Sequence, residues 1–157
     1  MESLKLNSLS PSFKAYDQNE NLVELKEFND QWVLVYFYPK AMTPGCKIQA
    51  CHLRDHLSKF NKLDCKVIGI SPDSPKRLKK FEEKEGLNFT LISDEDFSIA
   101  KKYKVYGLKK FMGREFMGVK RTSFILSPGL KIAFILEDVK TKTHHEEVLK
   151  KLKELKA

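Results

Sequence analysis

The sequence is poor in cysteine and has no long apolar run. Three cysteines, Cys46, Cys51 and Cys65, stand in 157 residues, too few and too odd in number for a disulfide-stapled secreted scaffold. No stretch of 18 or more apolar residues occurs, so no membrane-spanning helix is expected. The first residues, MESLKLNSLSPSF, lack a basic region followed by an apolar one. They read as no secretory leader, and hence as a cytoplasmic protein. There is no internal repeat, no low-complexity segment and no Gly/Ser/Pro-rich linker. A single domain over residues 1–157 is therefore expected, with enough apolar content (41%) for one core. No phosphate-cradling loop and no Ser/His/Asp set stands out.

The chain is basic, with a formal net charge of +8. Its densest lysine runs, residues 76–84 and 150–156, interleave with glutamate at helical spacing. That is the pattern of a solvated helix face, so no nucleic-acid partner is expected.

The run WVLVYFY, residues 32–38, has the β-branched and aromatic content of a buried central strand. Two short strands around the turn DQNEN precede it within residues 12–25. A helix from Pro44 to about Lys62 follows it. KVIGI is a second buried strand, and Ser74-Pro75 opens another helix with Ser as cap and Pro in the first turn. FTLIS is a short strand, and Asp96 is placed to cap a helix through Tyr103. TSFILS and LKIAFIL flank a Pro-Gly turn. Thr143 and Glu146 suit a capping box for the last helix, whose stripe is Val148, Leu149, Leu152 and Leu155. This order predicts an α/β protein: a central mixed β-sheet flanked by helices, with an N-terminal β-hairpin. A thioredoxin-like fold is the natural candidate, with its chemistry at the C-terminal end of a central strand.

The segment TPGCKIQAC lies at that end. Thr43 is a good N-cap and Pro44 a good first helical residue, which puts Cys46 at the third position. Unpaired N–H groups and the positive end of the helix dipole surround its sulfur and favour a thiolate. A buried cysteine acting as a small hydrophobe fits the same position. On a helical wheel Ala50, Leu53, Leu57 and Phe60 fall within about 40° of Cys46, whereas Cys51 lies about 140° away on the outer face. In an intact helix their Cα atoms would be about 8.7 Å apart. A disulfide requires roughly 4.4–6.8 Å. The pair can bridge only if the first turns unwind.

Cys51, His52 and His56 crowd one helix, but Cys51 and His52 point about 100° apart. No second Cys/His cluster has ligand spacing, so no metal and no cofactor are expected. His144 and His145, in the first turn of the last helix, read as solvated.

The stretch YFYPKAMTPGCKIQAC resembles the active site of the peroxiredoxins, with Pro39, Thr43 and Cys46 in their Pro-x-x-x-Thr-x-x-Cys pattern. It is most similar to the peroxiredoxin Q, or bacterioferritin comigratory protein, group, which often carries a second cysteine five residues on, here Cys51. Further agreement lies in VIGISPDSPKRLKKFEEKEGLNFTLISDED, RTSFILSPGLKI and THHEEVLKKLKEL, so the resemblance spans roughly residues 6 to 155. It implies a thiol peroxidase acting on hydrogen peroxide and organic hydroperoxides, with Cys46 as peroxidatic and Cys51 as resolving cysteine. It also implies a thioredoxin-type reductant and a monomer rather than a ring. Arg121 matches the arginine that peroxiredoxins place beside the peroxidatic sulfur. Thr43 would set its hydroxyl on the sulfur or the peroxide, and Pro39 would wall the pocket from water. The N–H groups of Gly45 and Cys46 would bind the peroxide, with Gly45 permitting close approach. Lys47 departs from the small polar residue common after the peroxidatic cysteine. Cys65 reads as a structural bystander. Two other classes stay open on the residues alone: a disulfide oxidoreductase of the same fold, disfavoured by Cx4C spacing, and a non-catalytic basic binding module.

Overall fold

The central strand β3 (Trp32–Phe37) consists of apolar residues buried on both faces, and everything else is arranged about it. A computed structural model describes residues 3–157. In chain order the elements are β1 (Lys14–Tyr16), β2 (Leu22–Glu24), a 3₁₀ turn (Leu25–Phe28), β3, α1 (Pro44–Asp55), α2 (Leu57–Lys62) and β4 (Cys65–Ser71). They continue as α3 (Pro75–Glu85), β5 (Thr90–Ser93), α4 (Ser98–Lys102), β6 (Tyr106–Phe111), β7 (Arg114–Val119), β8 (Thr122–Ser127), β9 (Lys131–Leu136) and α5 (His144–Lys156).

The main sheet has the order β5-β4-β3-β8-β9. β3, β4 and β5 run parallel, while β8 and β9 are antiparallel to their neighbours, as the mixed-sheet expectation requires. Alternate residues of β3 point to opposite cores. Leu34 and Tyr36 pack with Leu53, Phe60, Leu78, Phe81 and Leu152 of the helices on one face. Val33, Val35 and Phe37 pack with Phe13, Leu25, Ile99 and Tyr103 on the other. This is the period-2 strand geometry read across two layers.

The expected N-terminal hairpin is present as β1–β2. Three local expectations are corrected, and one element is added. The helix from Pro44 is broken at His56 (φ −112°, ψ 11°) into α1 and α2. There the His56 ring Nδ1 lies 2.8 Å from the His52 carbonyl and competes with the helical ladder. Thr143 makes no side-chain cap; its hydroxyl donates to Glu147 at 3.3 Å. The helix expected behind Asp96 ends with Tyr103 as its C-cap, and Asp96 accepts from the Ser98 N–H at 3.1 Å. The helix is tied mainly by Asp94, which accepts from the Ile99 and Ala100 N–H groups, each at 2.9 Å. The hairpin β6–β7 did not stand out in the sequence at all. Its two-residue turn, Met112-Gly113, holds φ 51° and 77°, the conformation that Asn-Gly signals and Met-Gly disguises.

The register Phe37↔Thr122 has the largest consequence for the site. It brings the residues that follow β3 and those that precede β8 to the same end of the sheet. The register Tyr36↔Gly69 sets another constraint, because the Tyr36 ring lies over Gly69. A Cβ on Gly69 would stand 2.9 Å from that ring, which is fully buried and backed by Tyr38, Phe89 and His144. Gly69→Ala should therefore cost about 1–3 kcal/mol, as overpacking does, seen as a lower denaturation midpoint with an unchanged slope.

Candidate active site

Helix α1 begins where the loop after β3 turns back over the sheet, and its first turn carries Cys46. Thr43 holds the extended N-cap conformation (φ −77°, ψ 154°), and its carbonyl accepts the first helical bond from Lys47 N–H at 2.9 Å. The N–H groups of Gly45 and Cys46 precede that first bond, so the helix's unspent donors lie around the sulfur. Cys46 is buried with Ala50, Leu53 and Phe60 in one cluster, on the inward face that the wheel predicts.

Arg121, immediately before β8, reaches this sulfur. Its Nη2 donates to Cys46 Sγ at 3.4 Å, and its Nη1 donates to Gln49 Oε1 at 2.7 Å. Gln49, one turn after Cys46, is fully buried. The planar guanidinium thus spans the sulfur and the amide of one helix, a two-point hold that a lysine cannot give. Gly45 lies beneath it: a Cβ there would stand 3.4 Å from Nη2. The bare backbone leaves room for the guanidinium. A buried thiol, a fixed cation and free helix-end donors can together hold a nucleophilic sulfur and stabilise negative charge on an oxygen beside it.

Residues 7–135 match the model of the AhpC/TSA family. The chain belongs to that family. Peroxiredoxin Bcp of Escherichia coli (strain K12) is 48% identical over 154 residues, which span 98% of this chain and 99% of the relative. Peroxiredoxin Bcp of Bacillus subtilis (strain 168) is 35% identical over 153 residues, 98% of each chain. Among solved structures, a cysteine-to-serine variant of Xylella fastidiosa PrxQ superposes with a TM-score of 0.94 over the full length of both chains, at 28% identity. The Xanthomonas campestris bacterioferritin comigratory protein, studied for alkyl peroxide reduction, gives 0.88 over 92% of each at 30% identity. The thioredoxin-like fold expected from the strand order is the fold of these peroxiredoxins.

Within that family frame, the other residues singled out in the sequence take distinct places. Thr43 does not cap with its side chain; its hydroxyl donates to the Lys40 carbonyl at 2.8 Å, which leaves its lone pairs to accept. Pro39 is half-buried in the loop between β3 and α1. Cys51 is on the outer face of α1, as the wheel has it, yet half-buried, with its Sγ 4.0 Å from Glu85 at the end of α3. Burial pushes its thiol above the ordinary range. Arg54 also donates to the Glu85 carbonyl, and Lys47 lies 3.9 Å from the Glu85 carboxylate. Ile48 is half-buried. Cys65 is buried at the start of β4, where desolvation pushes its thiol up to about 12.

His144 and His145 are not solvated. They are 0% and 4% exposed: His144 Nε2 meets the Ser123 hydroxyl at 2.7 Å, and His145 stacks on His52. Among the described residues, no three His, Cys, Asp or Glu side chains converge to hold a metal ion.

Two residues of the site escaped sequence reasoning. Gln49 was visible only as a polar residue on the inner face of the wheel. Asp73 accepts from the Ala41 N–H at 2.7 Å and from the Ser71 hydroxyl at 2.8 Å, and is paired with Arg77 at 3.0 Å. It thereby fixes the loop that delivers Thr43. The Ser-Pro-Asp-Ser-Pro context signals a turn there, not the carboxylate's reach across to the loop after β3.

Replacing Arg121 with Ala should lower the second-order rate of Cys46 oxidation by peroxide roughly 10²–10³-fold with the fold intact, measured by stopped flow. Gln49→Leu, which removes one charge-assisted bond to the guanidinium, should cost roughly ten- to a hundredfold. In the native protein Cys65 should resist iodoacetamide at neutral pH, because too little of it is thiolate to react.

Proposed function

We propose that this chain reduces hydrogen peroxide and organic hydroperoxides at Cys46, forming a sulfenic acid that Cys51 resolves as an intramolecular disulfide. The chain is a thiol peroxidase by family. The observation that carries the residue assignment is the Arg121 Nη2 bond to Cys46 Sγ at the head of α1.

In this reading the Cys46 thiolate attacks the near oxygen of the peroxide. The O–O bond breaks, sulfur is oxidised to Cys–SOH, and the far oxygen leaves with a proton as water or an alcohol. Arg121 stabilises the charge that moves onto the leaving oxygen, and the Gly45 and Cys46 N–H groups hold the peroxide from the helix end. The Thr43 hydroxyl has its proton on the Lys40 carbonyl and so accepts a hydrogen bond from the peroxide O–H. Pro39 shields the pocket. The Cys51 thiolate then attacks the sulfenic sulfur and displaces hydroxide, which takes a proton to become water. Because both cysteines sit in one continuous helix, this step requires α1 to unwind and Cys51 to leave Glu85. A dithiol reductant of thioredoxin type restores both thiols by exchange. A monomer in the cytoplasm is the setting we assign to this cycle. Among the described residues no helix is long and apolar enough to cross a membrane.

A stoichiometric peroxide pulse followed by intact and peptide mass spectrometry tests the assignment. A Cys46–Cys51 linkage is expected, and in Cys51→Ser a sulfenic or sulfinic acid on Cys46. Modification confined to Cys65 would overturn the assignment.

A further inference from the structure

Three imidazoles form a continuous stack between α1 and α5. The His145 ring lies 4.4 Å from that of His52, centroid to centroid and 11° from parallel, and 4.4 Å from that of His56 at 36°. His52 belongs to the helix that carries Cys46 and Cys51, His56 caps the end of that helix, and His145 lies in the first turn of the helix packed on it. His145 Nδ1 is buried with no hydrogen-bond partner among the described residues, and Nε2 is 3.8 Å from Glu146. His56 holds its proton on Nδ1, against the His52 carbonyl, because a carbonyl only accepts.

We propose that His145 is a positioning residue of the resolving step: seated between His52 and His56 it clamps α1 to α5, and protonation of the stack frees α1 to unwind so that Cys51 can reach Cys46. The proposal rests on the assignment of Cys51 as resolving cysteine.

The physical argument is one of charge in a confined place. A neutral stack packs as three flat rings. A proton on His145 puts a charge in a nearly closed slot, and a second proton on either neighbour puts like charges on adjacent rings. Around the slot stand Asp55, paired with Arg54 on α1, Lys59 on α2 and Glu146 on α5. Burial first, then His52 and His56, hold the His145 imidazole below its ordinary range; Lys59 acts with them and Glu146 against. His144, next in the chain, is pushed down to about 3 by burial, His145 and Arg121, and bonded to Ser123, so it stays neutral throughout.

A base whose affinity for protons is lowered by folding contributes stability that is whole above its unfolded value, near 6.5, and is lost as pH falls below it. The clamp is therefore closed at neutral pH and loosens on the acid side. Unwinding frees His145, so disulfide formation takes up a proton there beyond the thiol chemistry. Each proton so linked is worth a factor of about ten in the equilibrium per pH unit.

The test equilibrates the wild-type enzyme and His145→Phe, which keeps a ring in the slot without a proton site, in dithiothreitol redox buffers from pH 5.5 to 8. Peptide mass spectrometry then reads the Cys46–Cys51 fraction. The wild-type-to-variant ratio of oxidation equilibrium constants should be flat above pH 7. Below pH 6.5 it should climb toward about tenfold per pH unit for one proton. His52→Phe/His56→Phe makes the same comparison from the α1 side if His145→Phe does not fold. In the reduced wild type, amide exchange corrected for intrinsic rate should show α1 opening more as pH falls while α3 does not. Curves that run parallel, with the Cys46–Cys51 linkage formed, overturn the clamp and leave the resolving assignment standing. The absence of that linkage at every pH overturns both.

Discussion

The antiparallel register of β3 against β8 is the constraint on which the site depends. Phe37 faces Thr122 across the sheet, so the loop leaving β3 and the residue entering β8 meet at one end. Helix α1 must start there, because the loop after a buried central strand has to cover the sheet again. Arg121 must arrive there, because it is the residue next to Thr122. A sulfur and a guanidinium separated by 75 residues in the chain thus face each other through backbone pairing alone. A shift of one residue in the pairing would turn every β8 side chain to the other face. It would also carry the cation away from the helix.

Around that meeting point each neighbour serves the geometry in a different currency of force. Gln49 holds the second nitrogen of the guanidinium by a hydrogen bond, Gly45 yields space, and Asp73 ties the preceding loop through the Ala41 N–H. None of the three needs to touch a substrate to matter. The site is also bound to its scaffold unequally. The inner face of α1 is a core face, with Ala50 and Leu53 wholly buried, whereas the outer face is held by polar contacts to the end of α3. Apolar packing resists opening through the water it excludes, and polar contacts at a half-exposed edge exchange readily for water. The outer face, with Cys51, is the side that yields at lower cost.

What the sequence disclosed follows the range over which each force acts. Strand β3, the helix starts at Thr43-Pro44 and Ser74-Pro75, and the Pro-Gly turn between β8 and β9 are local matters. Periodicity, caps and turn chemistry state them. Cys46 and its inward direction were legible for the same reason, since a helix fixes where its residues point. Arg121 was legible only through the resemblance; its contact with Cys46 is tertiary, and nothing in RTSFIL announces it. The burial of His144 and His145 was hidden because their partners, Ser123, Tyr36, His52 and His56, come from three other elements. A pair of histidines at a helix start looks polar until the opposite wall is known. The β6–β7 hairpin was concealed by a turn that sets a methionine in a left-handed conformation, where asparagine or glycine is the usual marker.

The break at His56 bears on how far a disturbance in α1 can spread. A helix is a cooperative ladder in which each turn supports the next. At His56 that ladder stops, and α2 begins afresh with Phe60 wholly buried in the core. Melting that began at the cysteines would therefore meet a firebreak after three turns. The break sets the segment that carries both cysteines apart from the part of the layer anchored in the core by Phe60.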